Sequence, residues 1–143
     1  MSESEKLQTT AGHFDLVRLP EYNRQLERLS KREPGLHALV VEEIRTVLDS
    51  KTTKPIPGLG GWAKIRVPAP TLKIGKSGGF RAIFLFLNLG GKVYLATVYF
   101  KKEKTNLTPI EKKALTQMAT ELKKSQTTGL PNSGGTQKPK ERQ

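Results

Sequence analysis

The 143-residue chain carries a formal charge of +12, 35% hydrophobic residues and no cysteine. Its length and apolar content fit one domain with tails, and the missing cysteines exclude disulfides, thiolate metal sites and cysteine nucleophiles. The charge is concentrated: residues 13–59 hold eight Lys/Arg against seven Asp/Glu, whereas residues 60–104 hold nine against one, the asymmetry of a surface that meets a polyanion.

In chain order, residues 1–12 are polar and read as a mobile segment, with neither a basic n-region nor an apolar h-region at the start. No run approaches the roughly 20 apolar residues of a membrane span, and no basic amphipathic helix with bulky apolar anchors is visible. The expected location is therefore the cytoplasm, with no membrane partner. Residues 13–19 read as a short strand ended by Pro20. Tyr22, Leu26 and Leu29, then Leu36, Leu39, Val40, Ile44, Val47 and Leu48, recur at helical spacing, with Pro34 placed to start the second helix. Residues 49–61 hold Pro55, Pro57, Gly58, Gly60 and Gly61 and form a loop.

Strands are expected at residues 62–67, 80–87 and 93–100, the last two joined by a turn over 88–91. In the first, alternation puts Ala63, Ile65 and Val67 on one face and Trp62, Lys64 and Arg66 on the other. The other two are apolar on both faces, as in a sheet covered by helices. Thr108, Pro109 and Glu111 spell a capped helix start, and Ile110, Ala114, Leu115, Met118 and Leu122 give that helix an apolar face to about residue 124. Residues 125–143 bury little and read as a disordered basic tail. The predicted fold is α+β: an N-terminal strand and helical hairpin packed on a small antiparallel sheet, then a C-terminal helix, with the domain spanning 13–124.

Residues 60–104 contain no histidine and a single carboxylate, Glu103, so two-histidine ribonuclease chemistry is disfavoured and Lys, Arg, Ser, Thr and Tyr are what the segment offers. Lysine acts as a base when nearby cations and desolvation lower its pKa, and Lys64 lies two residues from Arg66 on one face. Arginine keeps its proton, so Arg66 and Arg81 suit gripping a phosphate and stabilising its transition state. The loop from Gly75 to Gly79 lacks the spacing of a phosphate-binding P-loop and reads as a hairpin-type turn. Trp62 and Tyr99 are either stacking platforms or core residues. No residue cluster calls for a metal or other cofactor.

The runs Gly58 to Val67 (GLGGWAKIRV), Gly75 to Arg81 (GKSGGFR) and Tyr94 to Thr108 (YLATVYFKKEKTNLT), followed by Glu111, resemble the HigB branch of the RelE/ParE superfamily of bacterial type II toxins. The resemblance covers roughly 55 residues in order. It implies a ribosome-dependent mRNA endonuclease that cleaves the message in the ribosomal A site, the 2′-hydroxyl attacking the adjacent phosphate to leave a cyclic phosphate and a free 5′-hydroxyl. Carried over residue by residue, Lys64, Arg66 and Arg81 match the family's basic positions on the strand and at the glycine loop and are the expected catalytic residues, and Lys101 and Lys102 fall where the family has basic residues at the end of the last strand. Lys73, Lys76, Trp62 and Tyr99 complete the expected RNA-binding set. The C-terminal tyrosine of RelE falls near Thr108, so its role is filled by Tyr99 or missing. Implied partners are the mRNA, the ribosome and its rRNA, a cognate helix-turn-helix antitoxin and, only through it, operator DNA. Two other readings tolerate the same basic sheet: a ParE-like DNA gyrase inhibitor, because that branch shares the fold, and a non-catalytic RNA- or ribosome-binding module.

Overall fold

Strand alternation at Gly12–Arg18 buries Phe14 and Leu16 and leaves His13 and Arg18 in solvent, which makes this segment β2 of the sheet. The structure, a computed structural model, describes residues 5–10 and 12–128. In sequence order it contains β1 (Glu5–Thr9), β2, α1 (Pro20–Leu29), α2 (Leu36–Ser50), β3 (Ala63–Val67), a single 3₁₀ turn at Pro70–Leu72, β4 (Phe80–Leu87), β5 (Lys92–Phe100) and α3 (Pro109–Thr128). Five strands make one sheet in the order β1-β2-β5-β4-β3. The fold is α+β, with β3, β4 and β5 antiparallel as their hairpin connections require.

Three features differ from the sequence reading. The polar start is not mobile from residue 5 onward: β1 pairs antiparallel with β2, and Leu7, fully buried, supplies the apolar contact that one inward residue can give. The sheet is also mixed, because β2 runs parallel to β5, with Asp15 N–H donating to the Gly91 carbonyl at 2.8 Å and Leu19 N–H to Leu95 at 3.0 Å. Finally, α3 continues past residue 124 to Thr128. The expectation of a disordered tail otherwise concerns residues 129–143, outside the described residues.

Helices cover both sheet faces. Against one face α1 and α2 bury Tyr22, Leu26, Leu29, Leu36, Val40 and Ile44 on Ala63, Ile65, Val67, Phe80, Ala82, Phe84, Val93 and Leu95. Against the other, Leu115 and Ala119 of α3 pack with Trp62, Ile83, Leu85, Tyr94 and Ala96. The helical hairpin turns through Glu33, a buried carboxylate whose two oxygens accept the Thr71 N–H at 3.0 and 3.2 Å. Helix α2 begins at Leu36, with Gly35 rather than Pro34 at its cap.

Approach of α3 depends on the glycines before β3. Gly60 and Gly61 adopt φ of 76° and 113°, and a β-carbon on Gly60 would lie 3.0 Å from that of Ala119. Both the left-handed backbone and the narrow gap call for glycine. A bulge in β5 then sets which side chains face α3. Ile83 pairs with Thr97 but Phe84 with Leu95, so Ala96 is the extra residue. Leu95 and Val98 thereby both face α1 and α2, while Ala96 and Tyr99 turn to the α3 side.

Candidate nucleic-acid interface

Strand β3 alternates as its sequence demands: Ala63, Ile65 and Val67 are buried and Lys64 and Arg66 exposed. Register then builds a row across three strands, Arg66 opposite Arg81 and Arg81 opposite Tyr99. Lys64 stands one pair along, on the same face, opposite Ile83. The sequence placed two of these three cations on a common strand face, and pairing brings Arg81 to them.

The three are not equivalent. Arg81 is 7% exposed, and its guanidinium donates to the carbonyls of Lys76 at 3.1 Å, Ser77 at 3.0 Å and Phe80 at 3.3 Å. It therefore clamps the glycine loop from within. Burial first, and then repulsion from Arg66, lowers the pKa of Arg81 from the ordinary arginine value, while Tyr99 acts in the opposite direction. Burial raises the pKa of Tyr99 and Arg81 draws it down. The Tyr99 hydroxyl has no hydrogen-bond partner among the described residues, and the Lys104 ammonium lies 5.6 Å from the ring centroid.

Loop geometry explains the paired glycines. A β-carbon on Gly79 would fall 2.2 Å from the Val67 carbonyl oxygen, a backbone atom with no room to give. The Gly79 carbonyl accepts the Lys101 N–H at 2.9 Å, so the same close approach ties the loop to the end of β5.

The remaining expected RNA contacts divide. Trp62 is fully buried and its indole N–H donates to the Leu115 carbonyl at 2.6 Å, so it holds α3 to the sheet and offers no stacking face. Tyr99, 4% exposed behind the bulge, is likewise withdrawn from stacking on a base. Lys73, Lys76 and Lys102 are exposed and Lys101 half-buried. Lys73 ends the 3₁₀ turn with φ of 59°. Glu103, the one acid of the segment, faces away from the row to pair with Arg28 of α1 at 3.1 Å and with Arg32 of the turn that follows it at 3.2 Å.

An open cavity of about 470 Å³ lies along β3, with Lys54, Lys64, Arg66 and Lys76 on its walls. Lys73, Lys101 and Lys102 do not line it. Lys76 pairs there with Glu43 at 2.9 Å. Lys54 and Glu43 escaped sequence reasoning because they belong to residues 13–59, where charges balance. The proline-rich loop that returns to β3 was the signal that Lys54 comes close. No group of three or more His, Cys, Asp or Glu suited to a metal occurs among the described residues, and no helix among them is long and apolar enough to cross a membrane.

No family model matches the chain. Among solved structures it is similar to a free-state mutant of the E. coli toxin RelE, with a TM-score of 0.46 at 15% identity over 72% of this chain and 93% of that one. It is also similar to the isolated E. coli RelE toxin, with a TM-score of 0.42 at 15% identity over 72% of this chain and 96% of that one. At such distance the chemistry rests on the residues of this chain alone.

Proposed function

We propose that this chain is the toxin of a type II toxin–antitoxin pair, a metal-independent endoribonuclease of the HigB kind that cleaves mRNA in the ribosomal A site. The observation that carries the reading is the cross-strand cluster of Lys64, Arg66 and Arg81 on a rigid sheet face, beside a loop fixed by Arg81. Cations placed by strands are preorganised for a phosphate, which is where such catalysis gains most of its rate.

In this mechanism Arg66 grips the scissile phosphate and Lys64, desolvated by the bound RNA, takes the proton of the 2′-hydroxyl. The oxygen so freed bonds to phosphorus as the bond to the 5′-oxygen breaks, and that oxygen takes a proton from water, giving a 2′,3′-cyclic phosphate and a free 5′-hydroxyl while Lys64 keeps the proton of the 2′-hydroxyl. Arg81 holds the glycine loop in register and adds its charge behind Arg66. Lys73, Lys76, Lys101 and Lys102 bind RNA or rRNA around this centre. The cognate antitoxin masks the basic face, and operator DNA is met only through it. The cytoplasm is the site of action.

One observation favours a second reading. Arg81 directs its terminal nitrogens to backbone carbonyls, leaving Lys64 and Arg66 as the exposed members of the trio, and a non-catalytic ribosome-binding module has the same requirement. Single-turnover cleavage at saturating ribosome separates the two. Arg66→Ala slows a catalyst by about 100-fold or more, with Lys92→Ala, at the first residue of β5 and paired to Asp15 at 3.4 Å, as the control. A parent chain that binds the ribosome but leaves the message intact establishes the binding module, and equal small losses for both variants remove Arg66 from the chemistry. Primer extension after induction without antitoxin is expected to find truncated translated messages, and gyrase-linked DNA breaks in their place would instead establish the gyrase-inhibitor reading.

A further inference from the structure

Two charged side chains are buried among the described residues, Glu33 and Arg81, and they hold the same segment. Residues 68–79 leave β3 just past Arg66 and return to β4 just before Arg81. Arg81 fixes the returning end through the carbonyls of Lys76 and Ser77. Glu33 reaches across from the turn between α1 and α2 and fixes the outgoing end through the Thr71 N–H, which both of its oxygens share. No salt bridge reaches this carboxylate among the described residues, and the neighbouring Arg32 turns instead to Glu103 and to the Phe100 ring. A buried carboxylate without a cation is costly to keep, and an apolar side chain of similar size would fill the place without that cost. Fold stability alone therefore does not account for an acid at this position.

What Glu33 holds is a strained cation. Lys73 sits at φ 59° and ψ 39°, the left-handed region that disfavours every side chain with a β-carbon. A small hairpin closes around it: Ala69 N–H donates to Ile74 at 2.8 Å, Ile74 N–H to Ala69 at 3.0 Å, and Lys73 N–H to Pro70 at 2.9 Å. Thr71 lies inside this hairpin, so its bond to Glu33 ties the hairpin to the helices. The Lys73 side chain is exposed and has no salt-bridge partner among the described residues, whereas Lys76 on the same segment is paired with Glu43. Backbone strain persists only where its surroundings enforce it, and it gathers at sites that bind. A lysine so held presents its charge in one place, without the ordering cost that a mobile loop brings to binding.

We propose that Glu33 is a positioning residue, which through the Thr71 N–H holds the 69–74 hairpin so that Lys73 meets a phosphate of single-stranded RNA flanking the one at Arg66. The consequence for cleavage rests on the nuclease reading above; the coupling of Glu33 to RNA binding by Lys73 does not.

The test is a double-mutant cycle on the full chain, read as affinity for a labelled single-stranded oligoribonucleotide. Glu33→Met and Lys73→Ala are each expected to weaken binding by about 5-fold, and the double variant by about 5-fold as well, where independent sites would give about 25-fold. Glu33→Gln keeps an acceptor for the Thr71 N–H and is expected to bind within about 2-fold of the parent chain. Leu115→Ala, in the cluster on the other sheet face, is the control: it lowers the melting temperature and leaves RNA affinity near the parent value, so loss of stability alone is told apart. Amide exchange at Ile74 is expected to quicken in Glu33→Met while that of Ile83, in the central strand β4, does not. If Glu33→Met does not fold, the same cycle with Glu33→Asp, whose carboxylate is one methylene short of Thr71, gives the answer. A double variant that loses about 25-fold, a Glu33→Gln as weak as Glu33→Met, or a Lys73→Ala that binds like the parent would each overturn the proposal. Coupling in a chain that never cleaves ribosome-bound mRNA keeps Glu33 in this role and retires the nuclease. Cleavage by a chain in which the two losses multiply does the reverse.

Discussion

Arg81 illustrates how a sheet buries a charged side chain by giving it backbone partners. Its three carbonyl contacts replace water for a guanidinium that the sheet buries, and they hold the Gly75 to Gly79 turn against β4. Arg81→Ala removes those donors and leaves loop carbonyls unpaired, so stability falls by about 1–3 kcal/mol together with activity. Arg66→Ala, on an exposed side chain, is expected to lose activity with a change in stability within about 0.5 kcal/mol. Thermal melts run beside cleavage assays check the split, and a large drop in melting temperature for Arg66→Ala would contradict it. Gly79→Ala tests the loop more sharply, because the added carbon meets the Val67 oxygen at 2.2 Å. A destabilisation of about 2 kcal/mol or more is expected. Gly75→Ala, with open space around its β-carbon, is the tolerated control in the same denaturant titration.

At the scale of elements, α3 is held by its start and by Trp62. Thr108 Oγ1 accepts the Glu111 N–H at 3.1 Å while Glu111 accepts the Thr108 N–H at 2.7 Å, closing the capping box read from the sequence. Thr108→Ala is expected to cost about 1 kcal/mol, visible as a loss of roughly 4 °C in melting temperature. Burial pushes the Glu111 carboxyl up, but Lys104 and the Thr108 N–H outweigh it and hold it below the usual carboxylate value of 4.5. A depressed folded pKa means the stabilisation is present above pH 4.5 and fades as the pH falls through the folded value. Glu111→Gln should therefore lower stability at neutral pH and converge with the parent chain in acid, and parallel curves throughout would contradict that role. The capping box, the β3 alternation and the doubly apolar β4 were legible because each is a local pattern. Trp62 and Tyr99 were not. Trp62 shares a strand face with Lys64 and Arg66, and only the docking of α3 decides that it is covered. Tyr99 sits after a bulge at Ala96 that shifts the side-chain phase, and nothing in the run LATVYF marks the extra residue. Edge strand β1 was missed because a single buried leucine among polar neighbours leaves no periodicity to read.

Across the whole molecule part of the charge is neutralised in ion pairs. Lys92 and Lys6 both meet Asp15, and Glu103 faces α1. By contrast, the described residues give Lys64 and Arg66 no salt-bridge partner within 4.0 Å, so their charge is unmatched within the fold. If that potential binds single-stranded RNA, affinity falls with salt as counterions are displaced, by about 0.7 in logarithmic slope for each phosphate contact. Replacing Lys64 or Arg66 by Ala is then expected to reduce the slope by about 0.7 each, whereas Lys92→Ala leaves it close to the parent value because its charge is already matched by Asp15. Titration of a labelled oligonucleotide at several salt concentrations measures all three. A slope unchanged by Lys64→Ala and Arg66→Ala would place the RNA elsewhere on the surface, on Lys73 or on Lys101 and Lys102, and the same titration of variants at those positions would find it.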